Sequence, residues 1–191
     1  MKQLLVLLVA ITSFVASSEA SAQNEPNRLV GYLALGLGGE VEADLDGGGS
    51  FEVDLDASVG LGFRYELMLG KLLSIAPMIE WLTYEVDAPG ADREHILDFD
   101  VFIKFRGTIR AGRQEIELYG GIPVGFSFAT DVAGTDNGVG FNLGIMGGAA
   151  LFFGKFGLFT EIGWRMHQLW DDGNRFAANQ AGLNFGGLIR L

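Results

Sequence analysis

The stretch "SFEVDLDASVGLGFRY", Ser50 to Tyr65, alternates apolar residues with charged, polar or glycine residues along its whole length. In an extended strand Phe51, Val53, Leu55, Ala57, Val59, Leu61 and Phe63 project to one side, and Glu52, Asp54, Asp56, Ser58, Gly60, Gly62 and Arg64 to the other. A soluble sheet packs its apolar side on a core. A membrane-spanning barrel turns that side to lipid and fills its lumen with the polar one. The remainder of the chain decides between them.

The chain has 191 residues, 29 of them glycine, with 12% aromatics, and a mean hydropathy of +0.28. At its start Lys2 precedes the apolar run "LLVLLVAITSFVA" and the small residues of "SSEASAQ", in which Ala20 and Ala22 form an A-x-A pattern. Residues 1–22 are therefore expected to be a signal peptide cleaved before Gln23, leaving 23–191 as one domain. The apolar run is shorter than the roughly 20 residues of a spanning helix, and no later segment reads as one. Removing Lys2 and Glu19 leaves the formal charge at −11, which argues against a nucleic-acid partner. Cysteine is absent, in keeping with passage through an oxidising compartment.

The alternation recurs to the end of the chain at a spacing that predicts eight strands, the first over about 29–38, the second over 50–65 and the last over 180–191. Pro77, inside the third, removes a ladder donor and predicts a bulge. Short links near 66–71, 108–114 and 154–155 alternate with the longer, mostly acidic stretches "EVEADLDGGG", "EVDAPGADREH", "TDVAGTDNG" and "QLWDDGNRFAAN". Short turns at one end and long loops at the other are the habit of transmembrane barrels. The fold class expected is all-β: an eight-stranded antiparallel up-and-down transmembrane barrel.

Two patterns place lipid on the apolar face. Aromatic residues of that face fall toward both strand ends, Phe51, Trp81 and Trp164 among the upper ones and Phe63, Tyr65, Phe105, Phe153 and Phe156 among the lower, as two interfacial girdles. The opposite face carries too many charges for a dry ligand-binding interior. Acids Glu52, Asp54, Asp56, Glu80, Asp98, Asp100, Glu117 and Glu161 and bases Arg64, Lys104, Arg106, Arg165 and Arg190 are expected to form a lumen network, with Arg106 and Glu117 as a cross-strand ion pair. Inward glycines such as Gly60, Gly62, Gly121 and Gly148 make room for these side chains.

Other chemistry is weakly signalled. "GLGLGG" is not followed by a helix and is no phosphate loop. His95, among Asp92, Arg93 and Glu94, and His167 have no nucleophile near them in sequence, so no catalytic residues are expected. Glu42, Asp44 and Asp46 alternate in a glycine-rich stretch but match no EF-hand spacing; neither a metal nor a cofactor is expected.

The leader, the eight alternating strands, the long loops and the closing strand "LNFGGLIRL" together resemble the small eight-stranded outer-membrane β-barrel proteins, the OmpA/OmpX-like superfamily of Gram-negative bacteria. The resemblance covers about residues 28–191. It implies residence in the cell outer membrane, contact with membrane lipid and lipopolysaccharide, biogenesis through the barrel-assembly machinery and a monomeric state. Members commonly end in an aromatic residue; this chain ends in Leu191. Because the fold hosts several functions, three readings are carried forward: a closed structural or surface-interaction barrel whose acidic loops meet an extracellular ligand, a narrow porin-like channel for small solutes or ions, and, third, a lipid-modifying enzyme.

Overall fold

A computed structural model describes residues 25–84, 94–112, 114–130, 137–171 and 173–191; the signal-peptide prediction lies outside them. The strands are β1 (Arg28–Asp44), β2 (Ser50–Leu55), β3 (Val59–Met68), β4 (Leu73–Tyr84), β5 (Glu94–Ala111), β6 (Gln114–Thr130), β7 (Asn137–Phe153), β8 (Phe156–Asp171) and β9 (Asn174–Arg190). Each pairs antiparallel with its neighbours, and β9 returns to pair with β1. β2 and β3 follow one another along the same side of β1, at its upper and lower halves, so nine strands make eight staves. Closure satisfies the backbone between strands, the condition for a sheet to stand in lipid.

The burial pattern is the reverse of a soluble protein. Leu61, Phe105, Phe126, Ile145, Leu158 and Ile162 are each more than half exposed, whereas Arg28, Arg64, Glu66, Lys104 and Glu117 are at most 2% exposed. The apolar exterior of the lower and middle wall is thus the lipid face, and the barrel is transmembrane. Trp81, Trp164, Phe63, Phe105, Phe153 and Phe156 are all exposed on it. Tyr65 is half-buried, its hydroxyl accepting a hydrogen bond from Asn27 Nδ2 at 2.9 Å.

The strand read first corrects one expectation. It is not continuous: Asp56–Ser58 break it, and the side-chain phase slips there. Below the break Gly60, Arg64 and Glu66 are buried; within it Ser58 is buried and Asp56 exposed; above it Leu55 is buried while Glu52 and Asp54 are exposed. The cause lies on both strands at one level. Gly38 sits at φ 99°, inside the register shift between Gly36 and Gly39 where β1 meets β9. One extra residue sends every following side chain to the other face. Above Gly38, Val41 and Ala43 therefore turn inward while Glu40 and Glu42 turn outward. Phe51, paired with the fully buried Ala43, belongs to the inner face and not to an aromatic girdle. Glu52, Asp54 and Asp56 likewise leave the predicted lumen network, because above the bilayer the outside of the barrel is water and charges face it at no desolvation cost.

With no native cysteine in the chain, single substitutions read this directly. Glu52→Cys and Asp54→Cys are expected to react with a membrane-impermeant maleimide on the inserted barrel, and Asp98→Cys to stay unlabelled until unfolding. Protection of the first two would restore the unbroken strand.

Two further expectations change. Pro77 makes no bulge: β3 pairs with β4 through Arg64–Met78 and Leu67–Ile75 in one register, and only the two intervening pairs drop out of the ladder. Pro123 interrupts β6–β7 in the same way between Gly121–Met146 and Val124–Leu143. The stretch "QLWDDGNRFAAN" is not a long loop, since β8 runs to Asp171 and β9 begins at Asn174. Much of "EVEADLDGGG" is likewise strand, with the turn at 45–49. Most of "EVDAPGADREH" and of "TDVAGTDNG" lies outside the described residues.

Candidate functional site

The lumen is layered, and the layers follow from which residues the staves bring to each level. At the short-turn end Arg28 from β1 meets Glu117 from β6 in a two-pronged contact, Nη1 to Oε1 at 2.9 Å and Nη2 to Oε2 at 2.8 Å. Arg106 Nη1 donates to the same Glu117 carboxylate at 3.0 Å and to Glu25 at 3.0 Å. Lys104 Nζ donates to Glu66 at 2.5 Å and to Glu117 at 3.3 Å. Glu117 thus gathers three cations. One level up, Arg64 Nη2 donates to Glu161 at 2.5 Å, and Tyr119 Oη donates to that carboxylate at 3.0 Å. The Arg64 guanidinium lies 5.1 Å from the Phe102 ring centre and 5.0 Å from that of Phe159, so its faces meet aromatic rings while its edge meets carboxylate. Four cations, Arg28, Arg64, Lys104 and Arg106, face four acids, Glu25, Glu66, Glu117 and Glu161. These two levels together are balanced, which offsets the cost of burying their charges.

The middle level is not balanced by ions. Arg165 Nη1 donates to Glu80 at 2.5 Å and to Asp98 at 3.0 Å, and its Nη2 lies 3.7 Å from Asp100. Three carboxylates converge on one guanidinium. Neutral donors hold the excess: Tyr32 Oη to Glu80 at 2.6 Å, Ser127 Oγ to Asp98 at 2.6 Å and Asn142 Nδ2 to Asp100 at 2.7 Å. His167 Nε2 stands 2.9 Å from Asp98 Oδ2. A cavity of about 40 Å³ beside Glu80, Arg165, Gln180 and Asn184 has room for about one water.

Above this the inner wall becomes apolar. Following the register round the barrel, Leu82 pairs with Ile96 and Ile96 with Ala129; Leu169 pairs with Phe176, Phe176 with Ala43 and Ala43 with Phe51. All but Phe51 are buried at 4% or less. The phase slip in β1 and β2 is what brings Ala43 and Phe51 into this ring. On β1 and β2 the exterior at this height is acidic, through Glu42 and Glu52, whereas on β4–β8 it carries Trp81, Leu97, Phe128 and Trp170.

Of the residues expected in the lumen, Arg64, Glu80, Asp98, Asp100, Lys104, Arg106, Glu117, Glu161 and Arg165 come together inside it, and Arg106–Glu117 are in contact. Arg190 sits half-buried at the lower rim, paired with Glu115 and 3.7 Å from the Phe152 ring centre. Sequence reasoning missed Arg28, Glu66 and His167. Arg28 shares parity with Tyr32 and Ala34 on β1, and Glu66 with Arg64 on β3; extending each strand by one or two residues finds both. His167 and Asp98 are far apart in sequence and meet only through closure.

The constellation Ser127–Asp98–His167 invites comparison with a catalytic triad, but its order is wrong. The carboxylate lies between hydroxyl and imidazole, so the base does not touch the nucleophile that it would activate, and Ser127 is fully buried. His95 has a packing role: its ring stacks on Trp81 at 5.4 Å, and its Nδ1 is 3.2 Å from Thr83 Oγ1. Asp92 and Arg93 lie outside the described residues. Asp44 faces Arg175 at 3.6 Å and the Asp46 amide donates to Asn174 Oδ1 at 3.1 Å, contacts within the β1–β9 wall rather than around a common centre.

Neither a protein-family model nor any curated protein matches the sequence. Solved structures do. The outer membrane protein OprG from Pseudomonas aeruginosa superposes with a TM-score of 0.53 at 12% identity, over 87% of this chain and 96% of that one. Neisserial surface protein A, NspA, gives 0.48 at 16% identity over 86% and 97%. Ail, the attachment invasion locus protein of Yersinia pestis, gives 0.34 at 10% identity over 85% and 99%. The likeness to OprG carries the fold, and with the inverted burial it gives the conclusion that this chain is a small transmembrane β-barrel of the outer-membrane type.

Proposed function

We propose that this protein is a closed outer-membrane scaffold, which spans the bilayer without conducting and presents an acidic upper rim to the cell exterior. The observation that carries this reading is the layered lumen: a charge-balanced bottom, a hydrogen-bonded middle and an apolar ring across the top. A water-filled path would need its polar groups free to solvate ions, whereas here every charged lumen side chain named above is paired with another through at least one of its atoms, although single atoms such as Asp100 Oδ2 and Gln180 Nε2 accept or donate no hydrogen bond, and the apolar ring adds no polar group. Envelope integrity or attachment follows as the role, with ligands meeting the outward carboxylates Glu40, Glu42, Glu52 and Asp54 or the rim they crown. Lipopolysaccharide surrounds the upper wall, and the barrel-assembly machinery inserts a single copy.

Current across a planar bilayer tests the proposal. Refolded protein, with insertion established by the mobility difference between boiled and unboiled samples, is expected to give no steady conductance steps. Reproducible steps would sink the closed scaffold in favour of the narrow channel. Lipid-modifying activity that disappears in His167→Ala but survives in Asn142→Ala would support the enzyme instead.

A further inference from the structure

The glycines within the strands include two contrasting kinds. At inward positions a Cβ has nowhere to go: at Gly62 it would lie 2.0 Å from the Tyr32 ring, and at Gly148 2.8 Å from Glu161 Cγ. Interior packing demands these residues. Gly31 on β1 and Gly187 on β9 are different. They face outward, pair directly with each other, and a Cβ on Gly31 would meet nothing within 4 Å, while one on Gly187 would meet only a carbonyl at 3.8 Å. Nothing inside the protein requires them to be small.

Together they floor a groove on the lipid face. Phe63, paired with Gly31, and Leu158, paired with Gly187, form its two sides, and Leu29, Ile189, Phe153 and Phe156 continue it toward the short-turn end, around an open hollow of about 510 Å³. That lies within the ~300–1,000 Å³ of ordinary ligand sites. The groove runs down to the turn between β7 and β8, where Lys155 is exposed. No side-chain ion pair of Lys155 occurs among the described residues. Leu158 is three residues above Lys155, roughly 10 Å along the strand, so an acyl chain lying on the glycine floor brings its phosphate to the ammonium.

We infer that this groove is a binding site for one phospholipid with an anionic headgroup, its acyl chain on Gly31 and Gly187 and its phosphate at Lys155. The apolar lining selects a hydrocarbon chain. The cation at the headgroup level selects charge. The inference rests on the transmembrane placement, and not on whether the lumen conducts.

Native mass spectrometry of the refolded mature barrel tests it, with dioleoyl phosphatidylglycerol and dioleoyl phosphatidylcholine as probes and the unboiled gel shift confirming that each variant is folded. Wild type is expected to retain one phosphatidylglycerol with about fivefold preference over phosphatidylcholine, the contribution of one lysine at a membrane surface. Lys155→Gln should erase the preference. Gly31→Leu with Gly187→Leu, which fills the groove from outside without touching the interior, should weaken retention of both lipids about tenfold, the equivalent of about two buried methylenes. Equal retention of the two lipids by wild type, or retention unchanged in the filled variant, overturns the site. A wild-type dimer abolished by the filled variant also overturns it, by making a second copy the occupant. Failure of the membrane placement itself would appear separately, as protein that folds in buffer without detergent.

Discussion

Glu117→Gln is expected to lower the unfolding free energy of the inserted barrel by about 3–5 kcal/mol, the range for removing one partner from a buried ion cluster. The amide keeps the volume of the carboxylate, so packing scarcely changes, but Arg28, Lys104 and Arg106 lose the anion that all three contact. Glu66 and Glu25 remain nearby and Glu25 is partly exposed, too little to neutralise three cations at the short-turn end. The three tryptophans, Trp81, Trp164 and Trp170, are all exposed on the outer wall, so their fluorescence in a denaturant titration from lipid vesicles reports unfolding. The companion variant Arg28→Met with Glu117→Leu removes a cation and the anion together and should recover most of the loss, since apolar replacement of a whole buried pair is often neutral or better. A loss below about 1 kcal/mol for Glu117→Gln, the level of an exposed pair, would mean that water reaches this level and that the lumen is wetter than its contacts imply.

Gly62→Ala is expected to block or severely impair folding, whereas Gly31→Ala is silent. The two positions are adjacent in the wall and differ by a single methyl's surroundings. At Gly62 the methyl would sit 2.0 Å from Tyr32 Cζ, and the ring cannot step aside cheaply: its hydroxyl holds Glu80 at 2.6 Å and its face lies 5.5 Å from the Arg64 guanidinium. Overpacking of this kind costs about 1–3 kcal/mol before any hydrogen bond is lost, and displacing Tyr32 would leave a Glu80 oxygen without its donor, adding about 1–3 kcal/mol. Gel mobility of unboiled refolding mixtures measures the folded fraction. Tyr32→Leu in the Gly62→Ala background should restore part of it by vacating the space. Equal yields from Gly62→Ala and Gly31→Ala would show that the inward glycines are not there for room.

The period-2 alternation made the staves legible because one face of each is committed to lipid over many residues. The β5 pattern, with Phe99, Val101, Ile103 and Phe105 on one face and Asp98, Asp100, Lys104 and Arg106 on the other, survives unchanged into the structure. Alternation carries no information about where one extra residue intervenes. Gly38 looks in sequence like any of its glycine neighbours, and only its backbone angle and the altered partners of β1 distinguish it. The misassigned charges Glu52, Asp54 and Asp56 follow from the matching break at Asp56–Ser58, which lies across the wall from Gly38 and is equally silent in the alternation. Strand ends were also underestimated, because acidic stretches read as loops when water was assumed to begin where the strand stops. Here β1 and β9 continue through Glu40–Asn179 to Asp44–Arg175 after the exterior has turned polar. The middle lumen level was legible as a set of charges and not as a structure: nothing in the spacing of Ser127, Asn142 and His167 says that they would share Asp98 and Asp100.

The slip at Gly38 has a consequence for anyone who would exchange parts between barrels of this type. Above and below it, the same strand speaks two dialects, apolar-out toward hydrocarbon and charged-out toward water. An upper hairpin transplanted without its odd residue would arrive turned inside out, with Glu40 and Glu42 pressed into the greasy ring and Val41 and Ala43 in the water. The junction for a graft therefore belongs below Gly36, so that the translator travels with the text.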